Sequence, residues 1–250
     1  MASYSTSSTD HKHVDQRFIE SSPGSTDEKA LLNRWPNSLG KRFFDVACVI
    51  CASPVLIPIL LLTGVAVRLA SRGPVLFRQE RIGRNGVPFT ILKFRTMPVH
   101  ENSCERPLIT SSTNQEFTPI GPYLRRWKLD ELPQIFNVLG GEMSLVGPRP
   151  KLREHQSSCL VCRPGITGFA TLIFASEESI FSGLSDKRLR DVHHRIVLPL
   201  KEQLDHEYLL RATFASDLQL ILKSIFRIWD VCEARDILRE RIGWGSELVF

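Results

Sequence analysis

The chain has 250 residues, a formal net charge of +5 and six cysteines. This length allows one sizeable domain or two small ones, and it excludes a scaffold that depends on a dense disulfide framework, so we expect reduced thiols in a protein that faces the cytosol. The mild positive charge suits a phosphate-rich partner, which could be a nucleic acid, a nucleotide or an anionic membrane surface, and charge alone does not choose among them.

Residues 1–37 are rich in Ser, Thr, Asp, Lys and His and show no apolar periodicity. This composition predicts a disordered polar tail. The beginning of the tail lacks the apolar core of a secretory signal, so we expect no such signal here.

Residues 38–73 contain a long apolar run, in which Val46–Val67 carry no charge over 22 residues. A helix that crosses a bilayer needs ~20 such residues, so the run predicts a membrane helix. A buried core helix is the alternative, although core helices seldom stay apolar over this length.

Two prolines, Pro54 and Pro58, interrupt the middle of this run. Each removes a backbone N–H and leaves the carbonyl four residues earlier without its helical partner; for Pro54 that carbonyl belongs to Ile50. The hydroxyl of Ser53 can reach the Ile50 carbonyl across one turn. We therefore predict a helix that bends sharply at Ser53-Pro54.

Cations flank the apolar run on both sides, with Lys41 and Arg42 before it and Arg68, Arg72 and Arg78 after it. Positive flanks prefer the cytoplasmic side of a membrane. A re-entrant helix that enters and returns places both flanks on that side, and it is the path we predict; a straight span is the alternative.

A β-hairpin is predicted after the membrane segment. Val75–Arg81 and Phe89–Phe94 are rich in strand-forming residues, and Asn85-Gly86 between them is a strong turn signal. The polar, irregular residues 98–118 predict a surface loop.

Two adjacent carboxylates, Asp130 and Glu131, stand just before Pro133. Proline suits the first turn of a helix, and Gly140-Gly141 is a typical helix end, so a short helix is predicted between them. Its apolar face is predicted to consist of Ile135, Phe136 and Leu139.

The acid pair could simply cap this helix, since carboxylates suit a helix N-terminus. Its surroundings favour another role. Four nearby cations supply more positive charge than two carboxylates need: Arg125, Arg126, Lys128 and Arg149. Surplus guanidinium favours phosphate, and a carboxylate acts on phosphate either through Mg²⁺ or as a nucleophile.

Several motifs occur in the same order as in a known family. They are KRFFD, a Ser-Pro in an apolar run, GPVLFRQERIG, FTILKFRTM, LDELPQIFNVLGGEMSLVGPRP and RPGITG. The chain resembles the bacterial sugar transferases, which are monotopic phosphoglycosyl transferases of the undecaprenyl-phosphate type. The resemblance covers roughly residues 40–228, and the DELPQ…GPRP block is its most specific part.

The resemblance implies transfer of a sugar-1-phosphate from a nucleotide diphosphate sugar to polyprenyl phosphate, with Mg²⁺ as cofactor. Asp130 matches the nucleophile that forms a phosphosugar-aspartate intermediate, and Glu131 matches the Mg²⁺ ligand. The remaining matches are cations near the phosphates, namely Arg125, Arg149, Lys93 and Arg95, and residues of the membrane helix, namely the anchor Lys41 and Arg42 and the break Ser53 and Pro54.

The segment Phe174–Leu198 is longer than the resemblance leads us to expect, which leaves the sugar open. It contains His193 and His194, for which a solvated helix face is favoured over a metal site because no acids stand at a matching spacing. Two Cys-x-x-C pairs, Cys48/Cys51 and Cys159/Cys162, lack zinc-finger spacing, and packing is predicted for the first.

The last predicted helix, Asp217–Trp229, carries one apolar stripe made of Leu218, Ile221, Leu222, Ile225 and Trp229. Core packing is the default interpretation of such a stripe. A position in the membrane interface is the alternative, because Trp229 and Lys223 suit that depth.

Together these features predict a helix-rich α+β protein with four parts: a tail (1–37), a re-entrant membrane helix (38–73), a cytosolic catalytic domain at the membrane surface (74–230) and a C-terminal extension (231–250). The expected location is the cytoplasmic face of a bacterial inner membrane. A membrane-bound adaptor that binds anionic lipid without chemistry is the alternative, and nucleic-acid binding explains only the charge. The sugar, the glycan and the oligomeric state stay open.

Overall fold

The computed structural model describes residues 34–98, 117–152, 160–174 and 193–226. The predictions for most of the tail, for the C-terminal extension, for Cys159, for Trp229 and for most of the loop and of the long segment after Phe174 lie outside these residues.

The apolar run forms one helix, α1 (Leu39–Ala70). It begins where the Ser38 hydroxyl accepts a hydrogen bond from the Lys41 backbone N–H at 3.0 Å, which satisfies one of the free donors of the first turn. The helix is long and apolar enough to cross a membrane, and 17% of its most apolar stretch is buried. A core helix would be mostly buried, so this exposure contradicts the core-helix alternative.

Both prolines lie inside α1 without ending it. The Ser53 hydroxyl donates to the Ile50 carbonyl at 2.7 Å, which supplies the partner that Pro54 removes. The predicted hydroxyl–carbonyl bond is therefore confirmed, whereas the sharp bend and the re-entrant path stay predictions.

The predicted hairpin is confirmed as β1 (Leu76–Ile82) and β2 (Pro88–Phe94), which pair antiparallel. The turn between them places Asn85 at φ 56° and Gly86 at φ 77°. Two central residues with positive φ match the right-handed twist of the strands, which is why Asn-Gly is suited to this turn. The turn also sets the cross-strand register, so that Phe77 lies opposite Lys93 and Arg81 opposite Phe89.

The remaining elements are short. In chain order they are a 3₁₀ turn before α1 (Trp35–Asn37), α2 (Gly121–Arg126), a 3₁₀ turn (Leu129–Glu131), α3 (Gln134–Gly140), the parallel strands β3 (Ser144–Val146) and β4 (Gly165–Thr167), α4 (Phe169–Ile173), a π-helical turn (His193–Val197), α5 (Leu198–Arg211) and α6 (Phe214–Phe226). The described residues thus form a helix-rich α+β fold, as predicted.

An apolar core joins the first half of α1 to the hairpin and to α3. Val49 of α1 packs in one cluster with Ile91 of β2 and with Ile135 and Val138 of α3. The predicted apolar face of α3 is correct for Ile135 and wrong for its other two members: Phe136 and Leu139 are exposed. The short helix turns Val138 inward instead, because the core lies on that side.

The predicted core stripe of the last helix is correct for Ile221, which packs against an apolar core cluster, and wrong for three other members. In α6 the side chains of Leu218, Leu222 and Ile225 are exposed, with 67% of Ile225 accessible, while Asp217 and Leu220 are buried. The alternative position of this helix in the membrane interface stays a prediction.

A buried network of charges explains why α6 turns Asp217 inward. The Lys41 ammonium lies 2.7 Å from Asp45 Oδ1 and 2.9 Å from Asp217 Oδ2. Asp217 also accepts hydrogen bonds from Trp35 Nε1 at 2.8 Å and from the Tyr208 hydroxyl at 2.9 Å. This network ties the start of α1 to α5 and α6.

These contacts contradict the predicted anchor role of Lys41. Its side chain is 3% exposed and paired with two carboxylates, so it does not lie among lipid phosphates. Arg42 donates to the backbone carbonyls of Val138 and Leu139, the second at 2.9 Å. It therefore binds the C-terminal end of α3, where unpaired carbonyls favour a cation.

We predict that Asp217→Asn lowers the free energy of unfolding by about 3 kcal/mol, because it leaves a buried ammonium with one carboxylate in place of two. Thermal or denaturant unfolding of the detergent-solubilised protein measures the change. Gln219→Ala, on the exposed side of the same helix, is the matched control and should have little effect. Equal stability of Asp217→Asn and the parent protein would contradict the role of the network.

Candidate functional site

The two acids lie in the 3₁₀ turn between α2 and α3. Lys128 enters this turn with a left-handed backbone, φ 57°, which changes the direction of the chain after α2. Pro133 then occupies the N-cap position of α3, and no side chain caps that helix. The capping interpretation of Asp130 and Glu131 is therefore wrong.

Glu131 lies among cations. Its Oε1 accepts a hydrogen bond from Lys93 Nζ at 2.7 Å and lies 3.6 Å from Arg149 Nη2. Burial alone would raise the pKa of this carboxyl, but the charges of Lys93 and Arg149 outweigh burial and lower the pKa to about 2. Glu131 is thus ionised at any physiological pH.

Asp130 lies in the opposite environment. It is 8% exposed, and its Oδ1 makes no hydrogen bond within the described part of the chain. Burial raises the pKa of the Asp130 carboxyl, and the charge of Glu131 raises it further. A carboxylate oxygen without a donor keeps its lone pairs available for a ligand or for attack on an electrophile.

The other predicted phosphate-binding cations divide into two groups. Arg149 has a half-exposed side chain beside Glu131, and the charge of Arg125 acts on Asp130. Arg95 points elsewhere: its guanidinium donates to the carbonyls of Ser71 and Arg72, both at 2.7 Å. It fastens the end of α1 to the hairpin, and its role toward phosphate stays a prediction.

Two motifs that are distant in sequence meet beside the acids. Gly147 of GPRP faces Gly165 of PGITG so closely that a Cβ atom on Gly165 would lie 2.1 Å from the Gly147 backbone nitrogen. Only glycine permits this approach. The contact places Arg149 and Pro150 beside β4 and next to Glu131.

An open cleft lies in front of Glu131. Its polar and charged lining consists of Arg81, Lys93, Glu131, Gln134 and Arg149. Our sequence analysis did not identify Arg81 or Gln134. The hairpin register held a usable signal for Arg81, because alternate residues of β1 share a face with alternate residues of β2, which puts Arg81 on the same face as Lys93.

The acid pair fits Mg²⁺ only together with a phosphate ligand. Among the described residues, no group of three or more His, Cys, Asp or Glu could hold a metal ion. Mg²⁺ usually takes one or two carboxylates and completes its octahedron with phosphate oxygens and water. The ionised Glu131 suits that arrangement as the carboxylate ligand.

Cysteine chemistry is not favoured at the described positions. Burial, followed by the nearby charge of Asp205, raises the pKa of the Cys162 thiol to about 12, so the thiol stays protonated. In α1, Cys48 is half-buried and Cys51 is exposed, so packing is supported for Cys48 and wrong for Cys51.

We predict that Asp130→Asn raises the melting temperature at neutral pH. A carboxyl whose folded-state pKa is raised costs folding free energy when it ionises, and this cost vanishes below the ordinary Asp pKa of ~3.9. The gain should therefore be largest near neutral pH and should shrink as the pH falls toward ~4.

Thermal unfolding across this pH range measures the effect, with the exposed Glu80→Gln as control. A lower melting temperature of Asp130→Asn at neutral pH would show that partners stabilise the ionised carboxylate.

The sequence of this chain is similar to those of known proteins. The family model described as bacterial sugar transferase matches residues 36–230. The undecaprenyl-phosphate glucose phosphotransferase of Komagataeibacter xylinus is 37% identical over 209 residues, which is 78% of this chain and 37% of that protein. The UDP-glucose:undecaprenyl-phosphate glucose-1-phosphate transferase of Xanthomonas campestris pv. campestris is 36% identical over 200 residues, 76% of this chain and 39% of that protein.

A third relative is named for another sugar. The UDP-N-acetylgalactosamine-undecaprenyl-phosphate N-acetylgalactosaminephosphotransferase of Aeromonas hydrophila is 36% identical over 143 residues, 53% of this chain and 34% of that protein. The match to each of these relatives thus spans less than half of the relative's length. The family match includes α1, the hairpin, the acid pair and the cleft, and the chain belongs to the bacterial sugar transferase family.

Proposed function

We propose that this chain transfers a sugar-1-phosphate from a nucleotide diphosphate sugar, with a UDP-sugar as donor, to polyprenyl phosphate of the undecaprenyl type. UMP is released, and the product is the first lipid-linked intermediate of a polysaccharide or glycoconjugate. The observation that carries this proposal is the buried Asp130 carboxylate, whose Oδ1 has no partner among the described residues, beside a glutamate that lies among cations. The names of the relatives support the donor and the acceptor.

Two displacements at phosphorus make up the reaction. In the first, Asp130 attacks the β-phosphorus, the bond from that phosphorus to the bridging oxygen breaks, and UMP leaves with the electron pair. In the second, a phosphate oxygen of the polyprenyl phosphate attacks the same phosphorus and the acyl phosphate bond breaks. This step regenerates the Asp130 carboxylate, so the kinetics should be ping-pong.

Charge is the main obstacle, because a carboxylate and a diphosphate repel each other. Lys93 and Arg149 bring positive charge to the cleft and would stabilise the oxygens of the phosphoryl group in transfer. Glu131 would hold Mg²⁺, which supplies further neutralisation of the diphosphate when bound. The raised pKa of Asp130 makes its carboxylate a better nucleophile than a solvated one.

A membrane surface suits this reaction because its acceptor is a lipid. The exposed apolar side of α1 and the outward stripe of α6 support a position at the cytoplasmic face of the inner membrane, where polyprenyl phosphate arrives laterally. A membrane-bound adaptor without chemistry would use the same apolar surfaces. It gives no reason for a buried carboxylate oxygen that lacks a donor.

We predict that a UDP-sugar alone leaves a covalent sugar-phosphate adduct on the parent protein. Asp130→Asn keeps the shape of the side chain and removes the nucleophile, so it should abolish both the adduct and the product. Intact-protein mass spectrometry before addition of polyprenyl phosphate measures the adduct. Full activity of Asp130→Asn would rule out this mechanism.

The same assay tests the separate role of Glu131. Glu131→Gln should lower the rate by about 10²-fold or more and should weaken its dependence on Mg²⁺, because it removes the charge on the predicted metal ligand. Glu80→Gln, an exposed residue of β1, is the control. An unchanged Mg²⁺ dependence in Glu131→Gln would assign the metal to another residue.

The re-entrant path of α1 is part of this proposal, and it rests on cations at both flanks and on Ser53-Pro54. We predict that Leu39→Cys and Arg72→Cys, at exposed positions near the two ends of α1, both resist a membrane-impermeant maleimide in intact cells and both react after lysis. Labelling of one of them alone from outside would establish a straight span. Replacing Pro54 and Pro58 together by leucine should favour that straight path.

The sugar is open to a direct assay. The three relatives are named for glucose and for N-acetylgalactosamine, so UDP-glucose and UDP-N-acetylgalactosamine are the donors to compare first. Release of UMP in the presence of undecaprenyl phosphate is the readout, and an adaptor would release none.

A further inference from the structure

Arg81 is a third cation of the cleft, beside Lys93 and Arg149, and it has no role in the reaction steps proposed above. It lies on β1, on the hairpin face that carries Ile91 and Lys93, and it lines the cleft together with Glu131 and Arg149. The opposite face of β1 carries Arg78, which is exposed and does not line the cleft.

The Arg81 guanidinium is held in a defined orientation. Its Nε and Nη2 donate to Gln79 Oε1 at 3.2 and 2.7 Å, and its Nη1 donates to the Pro150 carbonyl at 3.4 Å. Gln79 is two residues away on the same strand, so the side chain that orients Arg81 belongs to the same hairpin face. These contacts engage three of the five guanidinium N–H groups and leave two for a ligand.

Among the described residues, no carboxylate forms an ion pair with Arg81, although the charge of Glu131 acts on it. Its hydrogen bonds go to an amide and to a carbonyl, whereas Glu131 is bonded to Lys93 and lies near Arg149. Burial, followed by the charge of Arg149, lowers the pKa of Arg81 to about 10, so the guanidinium stays charged at neutral pH. Three cations around one glutamate leave a positive excess that an anionic ligand would neutralise.

A neutral residue lines the same cleft. The Gln134 side chain is 2% exposed and lies at the cleft together with Arg81. An amide N–H can donate to a phosphate oxygen. The cleft therefore presents an oriented guanidinium and an amide beside Glu131.

We infer that Arg81 is a further phosphate-binding residue of this site, positioned by Gln79 and the Pro150 carbonyl to receive phosphate oxygens in the cleft. Guanidinium matches phosphate geometry through two parallel N–H groups. The inference rests on the proposed function for the identity of the phosphate, which belongs either to the diphosphate of the donor or to the polyprenyl phosphate acceptor.

The Kd of UDP tests whether Arg81 binds the diphosphate of the donor, and this measurement needs no turnover. The detergent-solubilised protein of 250 residues carries Asp130→Asn, so that no adduct forms, and calorimetry gives the Kd of UDP with and without Arg81→Gln. Loss of a charge-assisted contact should raise this Kd about tenfold to hundredfold. Arg81→Lys keeps the charge but loses the planar set of N–H donors, so it should raise the Kd of UDP by a smaller factor.

A second experiment tests whether Arg81 binds the phosphate of the acceptor. In the active protein with Arg81→Lys, the KM for polyprenyl phosphate is compared with the KM for the UDP-sugar. Arg78→Gln is the matched control, because it removes a cation from the other face of the same strand. The melting temperature of each variant shows that the fold is intact.

A raised Kd for UDP in the Arg81 variants, with none in Arg78→Gln, supports the inference and assigns the donor diphosphate. An unchanged Kd for UDP with a raised KM for polyprenyl phosphate supports it and assigns the acceptor. If neither quantity moves in a folded Arg81→Lys protein, the inference is overturned. If UDP binding depends on Arg81 while the parent protein, with its intact Asp130, forms no adduct with a UDP-sugar, the inference is retained and the covalent mechanism is rejected.

Discussion

The buried ion cluster around Lys41 connects the start of α1 with α6 and β3. One ammonium at the start of α1 binds a carboxylate on its own helix and another on α6, and Asp45 in turn accepts a hydrogen bond from the Ser144 hydroxyl of β3 at 2.8 Å. Each charge in such a cluster has given up its hydration, so every member depends on the others for compensation. The long apolar helix α1 is consequently bonded to the elements that surround the site.

Arg42, the residue next to Lys41, links α1 to the turn that carries the acid pair. Arg42 binds the last carbonyls of α3, and α3 follows the turn that carries Asp130 and Glu131. Val49, two turns further along α1, meets Val138 in the apolar core. The proposed reaction takes its acceptor from a bilayer and would require a fixed distance between the membrane and Asp130. These contacts would provide that distance through packed elements.

Within the site, two adjacent carboxylates have opposite electrostatic environments. Lys93 and Arg149 stabilise the ionised form of Glu131, while burial and the negative charge of Glu131 disfavour the ionised form of Asp130. The arrangement separates a permanent anion, suited to a cation, from a more basic oxygen, suited to attack on phosphorus. The backbone produces this separation, because the 3₁₀ turn directs one acid toward the hairpin and leaves the other without a donor.

Local properties of the sequence determined the apolar run, the hairpin with its Asn-Gly turn, the Ser53–Ile50 bond and the position of the acid pair before Pro133. Each depends on composition or on backbone preferences within a few residues, which a sequence displays directly. The partners of the cations were decided only by the tertiary structure. Lys41 is buried because Asp217 reaches it from the other end of the chain, and Arg95 meets the end of α1. The outward stripe of α6 and the place of Arg81 in the cleft likewise follow from which elements pack together, because an amphipathic pattern defines a face but does not say whether protein or lipid covers it.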